Sequence, residues 1–126
     1  MLTMKDVIRE GHPNLYKVAE PVQLPLSVEN KSLLIELLNY VKNSIDDEMA
    51  DNEDFRPSVG IAAPQVNVLK RMFAIHVHDL EGTLYSYMMV NPVITERSPS
   101  LIYLPGGEGC LSVDRVTEGL TPRNEW

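Results

Sequence analysis

The chain has 126 residues, of which 44% are hydrophobic and 23% are charged, and these proportions indicate one globular domain over residues 1–126 with a modest core. A single cysteine excludes an internal disulfide, no apolar run approaches membrane-spanning length, and the first residues lack the apolar core of a signal peptide. We therefore expect a cytoplasmic protein that does not enter a membrane.

The net charge of -7 is concentrated in residues 46–54, which hold six acidic groups and no basic one. A calcium-binding loop needs a glycine at its sixth position, where this run has Asp51. We interpret the segment as a solvated helix end or loop. The rest of the chain is nearly neutral and has no patch basic enough to follow a phosphate backbone, so we expect no direct nucleic-acid binding.

The first part of the chain predicts two helices. A short one is expected near Met4 to Arg9, because Thr3 can cap it and Asp6 lies where the helix dipole favours a carboxylate. A longer one is expected near Val28 to Ser44. Its apolar residues recur at helical spacing and form a stripe for the core, namely Leu33, Leu34, Leu37, Leu38 and Val41.

After the acidic segment the pattern changes to short β-branched or aromatic runs, which predict strands. The runs span residues 59–66, 71–77, 83–90, 92–95 and 101–104, with turn residues such as Asn67, Gly82 and Pro99 between them. Helices followed by strands predict an α+β fold, in which the N-terminal helices pack on a mostly antiparallel sheet.

Two stretches offer polar groups on predicted strands. Residues 60–66, GIAAPQV, contain small residues that leave space for a ligand, and they also contain Gln65, whose amide both donates and accepts hydrogen bonds. The plainer interpretation of this stretch is a strand that ends at a proline. His76 and His78 alternate onto one strand face, as in a two-histidine metal site. A half-solvated strand face is the commoner explanation, since no third ligand stands nearby in the sequence.

The third stretch, GGEGCLSV at residues 106–113, places Cys110 among three glycines whose backbone can approach a ligand. The residues alone leave three interpretations open. Cys110 is a nucleophile that needs a histidine partner, a metal ligand that needs two further ligands, or a small buried hydrophobe.

GIAAPQ at residues 60–65, followed by EGCLS at residues 108–112, resembles the first two of the three signature motifs of peptide deformylases. TMKDVIREGHPNL at residues 3–15 and VNPVI at residues 90–94 resemble the Gram-positive-type branch of that family. The similarity runs from Met1 to about Arg123 and so covers nearly the whole chain. It implies a peptide deformylase-like fold and a metal-dependent hydrolase.

The resemblance also implies roles for four residues. Cys110 matches the thiolate metal ligand of the family, and Gly60 matches the glycine along which the substrate backbone lies. Gln65 and Leu111 match the side-chain amide and the backbone N–H that stabilise the developing oxyanion. In the family a ferrous ion, replaceable by nickel, cobalt or zinc, serves to remove the formyl group from N-formylmethionyl nascent peptides. An active chain is therefore expected to work at the ribosome.

The sequence departs from the family in its third motif, H-E-x-x-H on a helix, which supplies two metal ligands and the catalytic glutamate. The only histidines here are His12, His76 and His78, and none belongs to such a motif. Because the family continues into that helix beyond the position of Trp126, we expect a C-terminally incomplete domain that is inactive alone. Ser58 stands where the first motif usually has glycine, and we expect it to restrict the turn.

Three explanations of this departure remain open. The chain is a fragment of an intact deformylase, or it is a truncated paralogue that acts as a non-catalytic peptide- or protein-binding module. In the third explanation, the chain rebuilds a metal site from Cys110 with His76 and His78. The coding sequence downstream of Trp126 would distinguish the first two.

Overall fold

The computed structural model describes residues 1–49 and 54–126. Three 3-10 turns, one α-helix and five strands make up its regular structure. They are the turns Met4–Asp6, Pro13–Tyr16 and Ala63–Val66, the helix α1 (Val28–Ile45), and the strands β1 (Gly60–Ala62), β2 (Met72–His78), β3 (Leu84–Val90), β4 (Leu101–Ile102) and β5 (Arg123–Asn124). The predicted α+β class is confirmed.

The N-terminal helix begins as predicted. The Thr3 hydroxyl accepts from the Lys5 N–H at 3.3 Å, and the Thr3 N–H donates to the Asp6 carboxylate at 2.9 Å. These two bonds form a capping box, which satisfies donors that the first turn leaves unpaired.

The predicted extension of this helix to Arg9 is wrong, because the helical conformation ends at Asp6 and Val7 is extended. The next backbone donors pair with distant acceptors instead of with the preceding turn. The Ile8 N–H donates to the Gln65 carbonyl at 2.8 Å, and the Glu10 N–H donates to the Ser112 carbonyl at 2.6 Å. The N-terminal segment thus ties together the two stretches that carry the family motifs.

Helix α1 forms where the leucine spacing predicts it. The Ser27 hydroxyl caps its start by accepting from the Asn30 N–H at 3.1 Å. The predicted stripe faces the core, in which Leu34, Leu37 and Val41 are buried while Leu33 and Leu38 pack against its margin. The helix lies on β1 and β2, and so forms one wall of the core beneath the sheet.

The main sheet has the order β1-β2-β3 and is antiparallel throughout, with Gly60 opposite Ile75 and Met72 opposite Val90. β4 and β5 form a separate antiparallel ribbon, and an isolated parallel bridge joins Glu20 to Lys70. The antiparallel character of the predicted sheet is therefore confirmed.

Three strand predictions are corrected, one of which is the run at residues 101–104, where only Leu101–Ile102 forms a strand. Residues 92–95 form no strand, and residues 59–66 form a strand only as far as Ala62, after which Pro64 lies in a 3-10 turn. Strand β5 was not predicted from the sequence, because two residues are too few to show an alternating pattern.

The acidic segment at residues 46–54 falls only partly within the described structure, since residues 50–53 lie outside it. Its first residue, Asp46, ends α1 and accepts from the Glu48 N–H at 2.8 Å, which agrees with a helix end. Within the described ranges, α1 and the other helical segments do not have the length and apolar character needed to span a bilayer.

Candidate functional site

A cleft of about 720 Å³ opens between the end of α1, the start of β1 and the glycine-rich loop that includes Cys110. All four residues that the family resemblance singled out line it, namely Gly60, Gln65, Cys110 and Leu111. Arg56, Ser58 and Val113 are further lining residues. The fold thus brings the two motifs into one cavity.

Gln65 lies in the 3-10 turn that follows β1, and a backbone hydrogen bond sets the orientation of its side-chain amide. Its Oε1 accepts from the Ala62 N–H at 3.0 Å. Its Nε2 therefore faces the loop, 3.6 Å from the Cys110 Sγ and 3.4 Å from the Ser112 Oγ. The fold thus brings Gln65 and Cys110 together, and the amide nitrogen is directed at the sulfur.

Cys110 is exposed, which excludes its interpretation as a small buried hydrophobe. Its carbonyl accepts from the Val113 N–H at 3.0 Å and so closes a turn over the following residues. Before it, the chain reverses at Gly107, whose φ of 78° lies in the left-handed region that favours glycine. These turns hold the thiol at the surface of the cleft.

Leu111 is anchored by its side chain, which is 4% exposed and belongs to the hydrophobic core. Its carbonyl accepts from Arg9 Nη1 and from Arg56 Nη1, each at 3.3 Å. Its own N–H has no acceptor within residues 1–49 and 54–126. Leu111 is therefore held by its side chain and by its carbonyl, while no hydrogen bond to the described residues uses its N–H.

Arg9, Arg56 and Asp114 form what we call the arginine clamp. Arg56 Nη2 lies 2.5 Å from one Asp114 carboxylate oxygen, and Arg9 Nε lies 3.3 Å from the other. The hydrogen bond from Arg56, with the charge of Arg9 beside it, lowers the pKa of Asp114 below its ordinary value. Sequence reasoning missed the clamp, because its members lie far apart in the chain and none belongs to the two signature motifs.

Gly60 lies where β1 approaches β2 closely. A Cβ at this position would lie 3.2 Å from the Ala74 carbonyl oxygen and 3.2 Å from the Ile75 Cγ2, so a larger residue would crowd the neighbouring strand. The hydroxyl of Ser58 donates to the Gly60 carbonyl at 2.6 Å and accepts from the Gly60 N–H at 3.2 Å. Ser58 therefore restricts this turn, as expected.

His76 and His78 lie on β2 with their ring centroids 6.3 Å apart and nearly perpendicular. His76 Nδ1 is 2.8 Å from the Ser86 hydroxyl. Desolvation lowers the pKa of His76, and the charges of Lys42 and His78 act in the same direction. Neither imidazole lines the cleft that contains Cys110.

The residues that the structure describes do not form a metal site by themselves, since they contain no group of three histidine, cysteine or carboxylate side chains able to hold an ion. The explanation in which Cys110, His76 and His78 rebuild such a site is therefore wrong. His12 is used elsewhere, because its Nδ1 accepts from the Asn14 N–H at 3.1 Å and caps the second 3-10 turn.

The sequence model for polypeptide deformylase matches residues 4–126. Peptide deformylase 2 of Geobacillus stearothermophilus is 58% identical over 123 residues, which are 98% of this chain and 67% of that protein. Peptide deformylase 2 of Bacillus cereus is 55% identical with the same coverage. The class I type b peptide deformylase from Acinetobacter baumannii, solved with the ligand K3U, superposes with a TM-score of 0.69 at 30% identity over 99% of this chain and 72% of that one. The chain therefore belongs to the polypeptide deformylase family.

Proposed function

We propose that the cleft is the peptide-binding and oxyanion-binding part of a deformylase site, which acts on the formyl group of N-formylmethionine in nascent cytoplasmic polypeptides. One observation carries the proposal. The Gln65 Nε2, the Cys110 thiol and the Leu111 N–H, which has no acceptor among residues 1–49 and 54–126, all belong to residues that line one cleft. Cys110 and Leu111 come from a loop that is distant in sequence from Gln65.

Gln65 and Leu111 would bind the formyl oxygen. Both donors are held in place before a ligand arrives, since Ala62 orients the Gln65 amide and the clamp holds the Leu111 carbonyl. Preorganised donors of this kind stabilise the negative charge that develops on a carbonyl oxygen, and each is worth about 3 kcal/mol of transition-state energy. The buried Leu111 side chain prevents this donor from moving away as charge develops.

Cys110 would be the thiolate ligand of the family's metal, which is iron with nickel, cobalt or zinc as substitutes. A catalytic metal site takes three protein ligands and keeps one position open, whereas the described residues supply one ligand. The other ligands and the general base would have to come from residues that this structure does not contain. The described cleft is thus the peptide and oxyanion side of the site.

Metal analysis combined with a formate-release assay tests this proposal. We expect the polypeptide of 126 residues, purified alone, neither to retain stoichiometric iron, nickel or zinc nor to deformylate a formyl-methionyl peptide. Supplying the H-E-x-x-H segment of a family member is expected to restore both, and Cys110→Ala should abolish the restored activity. Turnover by the polypeptide alone that disappears in Cys110→Ala would overturn the account.

A non-catalytic peptide-binding module is the second candidate. It is favoured because the described residues contain no group of three metal-binding side chains, whereas Gln65 and Leu111 both line the cleft. In this case the polypeptide should bind a formyl-methionyl peptide equally well with and without a metal chelator. Loss of binding on chelation would exclude the module.

A further inference from the structure

We propose that the Ser58 hydroxyl competes with the bound peptide for the outer edge of β1 and thereby lowers the affinity of the cleft for peptides that pair with this edge as a strand. The inference rests on the proposed function, because it assumes that a peptide backbone enters the cleft. It concerns a residue at which this sequence departs from the first motif of the family, and it follows from the hydrogen bonds around Gly60.

The register of β1 shows which of its backbone groups point away from the sheet. The His76 N–H donates to the Val59 carbonyl at 2.9 Å, and Gly60 is the next residue, opposite Ile75. Hydrogen-bonded and non-hydrogen-bonded pairs alternate in an antiparallel ladder, so the N–H and C=O of Gly60 point away from β2. In the part of the chain that the structure describes, β1 is an edge strand, and Gly60 lines the cleft.

An outward-facing N–H and C=O on an edge strand form the site at which an extended peptide adds as a new strand. At Gly60 both groups are already occupied. The Ser58 hydroxyl donates a hydrogen bond to the Gly60 carbonyl at 2.6 Å and accepts one from the Gly60 N–H at 3.2 Å. The next outward donor, the Ala62 N–H, is taken by Gln65 Oε1. A peptide that pairs with Gly60 must therefore displace the Ser58 hydroxyl.

The backbone of Ser58 is anchored independently of its side chain. Its N–H donates to the Ser44 hydroxyl at 3.1 Å, and Ser44 is fully buried and donates in turn to the Val41 carbonyl at 2.7 Å. The hydroxyl can consequently rotate away, or be removed by substitution, while the strand keeps its position. A substitution at Ser58 therefore tests the competition without dismantling β1.

The competition affects only ligands that pair with β1 as a strand. A ligand with both a backbone donor and a backbone acceptor replaces both hydroxyl bonds, whereas a ligand that lacks the donor leaves the Gly60 carbonyl without a partner. We therefore expect Ser58 to reduce the affinity for strand-pairing peptides and to leave unchanged the affinity for ligands that cannot pair as a strand.

The binding test compares the wild-type chain with Ser58→Ala, which removes the hydroxyl, and with Ser58→Thr, which keeps one. The probe is a fluorescent formyl-Met-Ala-Ser peptide. Its control is an analogue that is N-methylated at the formamide and at both following amides, and that therefore has no backbone donor. Removing two modest hydrogen bonds should strengthen binding of the unmethylated peptide by roughly fivefold in Ser58→Ala. Ser58→Thr should remain close to wild type, and the analogue should not distinguish the three chains.

A second measurement needs no ligand. The Gly60 amide should exchange its proton faster with solvent in Ser58→Ala than in wild type, because its acceptor is gone. Ser100→Ala is the matched control, since its exposed hydroxyl contacts the Glu125 carboxylate at 2.6 Å and lies outside the cleft. It should change neither the Gly60 exchange nor peptide affinity.

The outcomes separate the two proposals. Two results would overturn the competition and leave the proposed function in place. One is equal affinity of wild type and Ser58→Ala for the unmethylated peptide, and the other is an unchanged exchange rate of the Gly60 amide proton. Absence of peptide binding by every variant would overturn the proposed function and the competition with it. Faster exchange at Gly60 in that case would show that the failure lies in the function and not in the hydrogen bonds of Ser58.

Discussion

Cys110 presents its thiol to solvent in a loop whose backbone is fixed on both sides by turns. We expect one equivalent of a neutral thiol reagent to react under native conditions, because access is the first requirement for thiol chemistry. Mass spectrometry before and after addition of denaturant checks this expectation, with Cys110→Ser as the unreactive control. Labelling that requires denaturant would contradict the exposed position and remove the basis for Cys110 as a ligand.

Gln65 and Ser58 show how the chemistry of a single side chain depends on its acceptors. The sequence identifies an amide and a hydroxyl, but their directions follow from the Ala62 N–H and from the two backbone groups of Gly60. An amide can present either its oxygen or its nitrogen to a ligand. The backbone of β1 decides that Gln65 presents the nitrogen.

At the scale of elements, the arginine clamp joins the N-terminal segment, the residues before β1 and the turn after Cys110. The pKa of Asp114 is lowered chiefly by its hydrogen bond to Arg56. A carboxylate with a lowered folded pKa stabilises the folded state above its ordinary pKa, and this contribution is lost as the pH falls through the lowered value. We therefore expect the clamp to open only in acid.

Amide chemical shifts of Leu111 and Val113 in a pH titration measure this opening. We expect them to stay constant above the ordinary pKa of a carboxyl and to move at lower pH, while Asp114→Asn should give the moved shifts at every pH. Glu10→Gln is the control, because Glu10 forms an exposed pair with Arg115 at 3.0 Å outside the clamp. A neutral-pH spectrum of Asp114→Asn identical to wild type around Leu111 would show that the clamp does not position this residue.

Tyr40 connects α1 to the segment that precedes β1. Its buried hydroxyl donates to the Arg56 carbonyl and accepts from the Arg56 N–H, both at 3.1 Å. Tyr40→Phe leaves these backbone groups without their partner, so we expect the free energy of unfolding to fall by about 1–3 kcal/mol. Urea denaturation measures the loss, and Tyr16→Phe should be neutral because Tyr16 is 73% exposed. An equal effect of the two substitutions would mean that the hydroxyl of Tyr40 does not hold the segment.

At the scale of the whole molecule, stability depends on the core between α1 and the sheet. Leu37 is completely buried in this core, whereas Ile35 on the same helix is 52% exposed. Leu37→Ala should lower the free energy of unfolding by about 2–5 kcal/mol, the usual cost of a cavity plus the lost burial. Ile35→Ala should cost far less in the same denaturation experiment, and comparable losses would contradict the assignment of the buried helix face.

Several features follow from the sequence by itself, because they depend on neighbours within one or two turns. The leucine spacing of α1, the caps at Thr3 and Ser27, and the change from helical to strand-like periodicity all act over such distances. The two motifs in their order also sufficed to indicate the family, and with it four of the residues that line the cleft.

The tertiary structure decided what depends on partners distant in the chain. The first helix ends at Asp6 because later N–H groups bond to Gln65 and Ser112, and the clamp forms between residues that share no motif. Whether the Gly60 edge is open or occupied likewise depends on how Ser58 lies against β1. Local sequence patterns do not predict such partners, because the groups that form these hydrogen bonds and ion pairs come together only after the chain has folded.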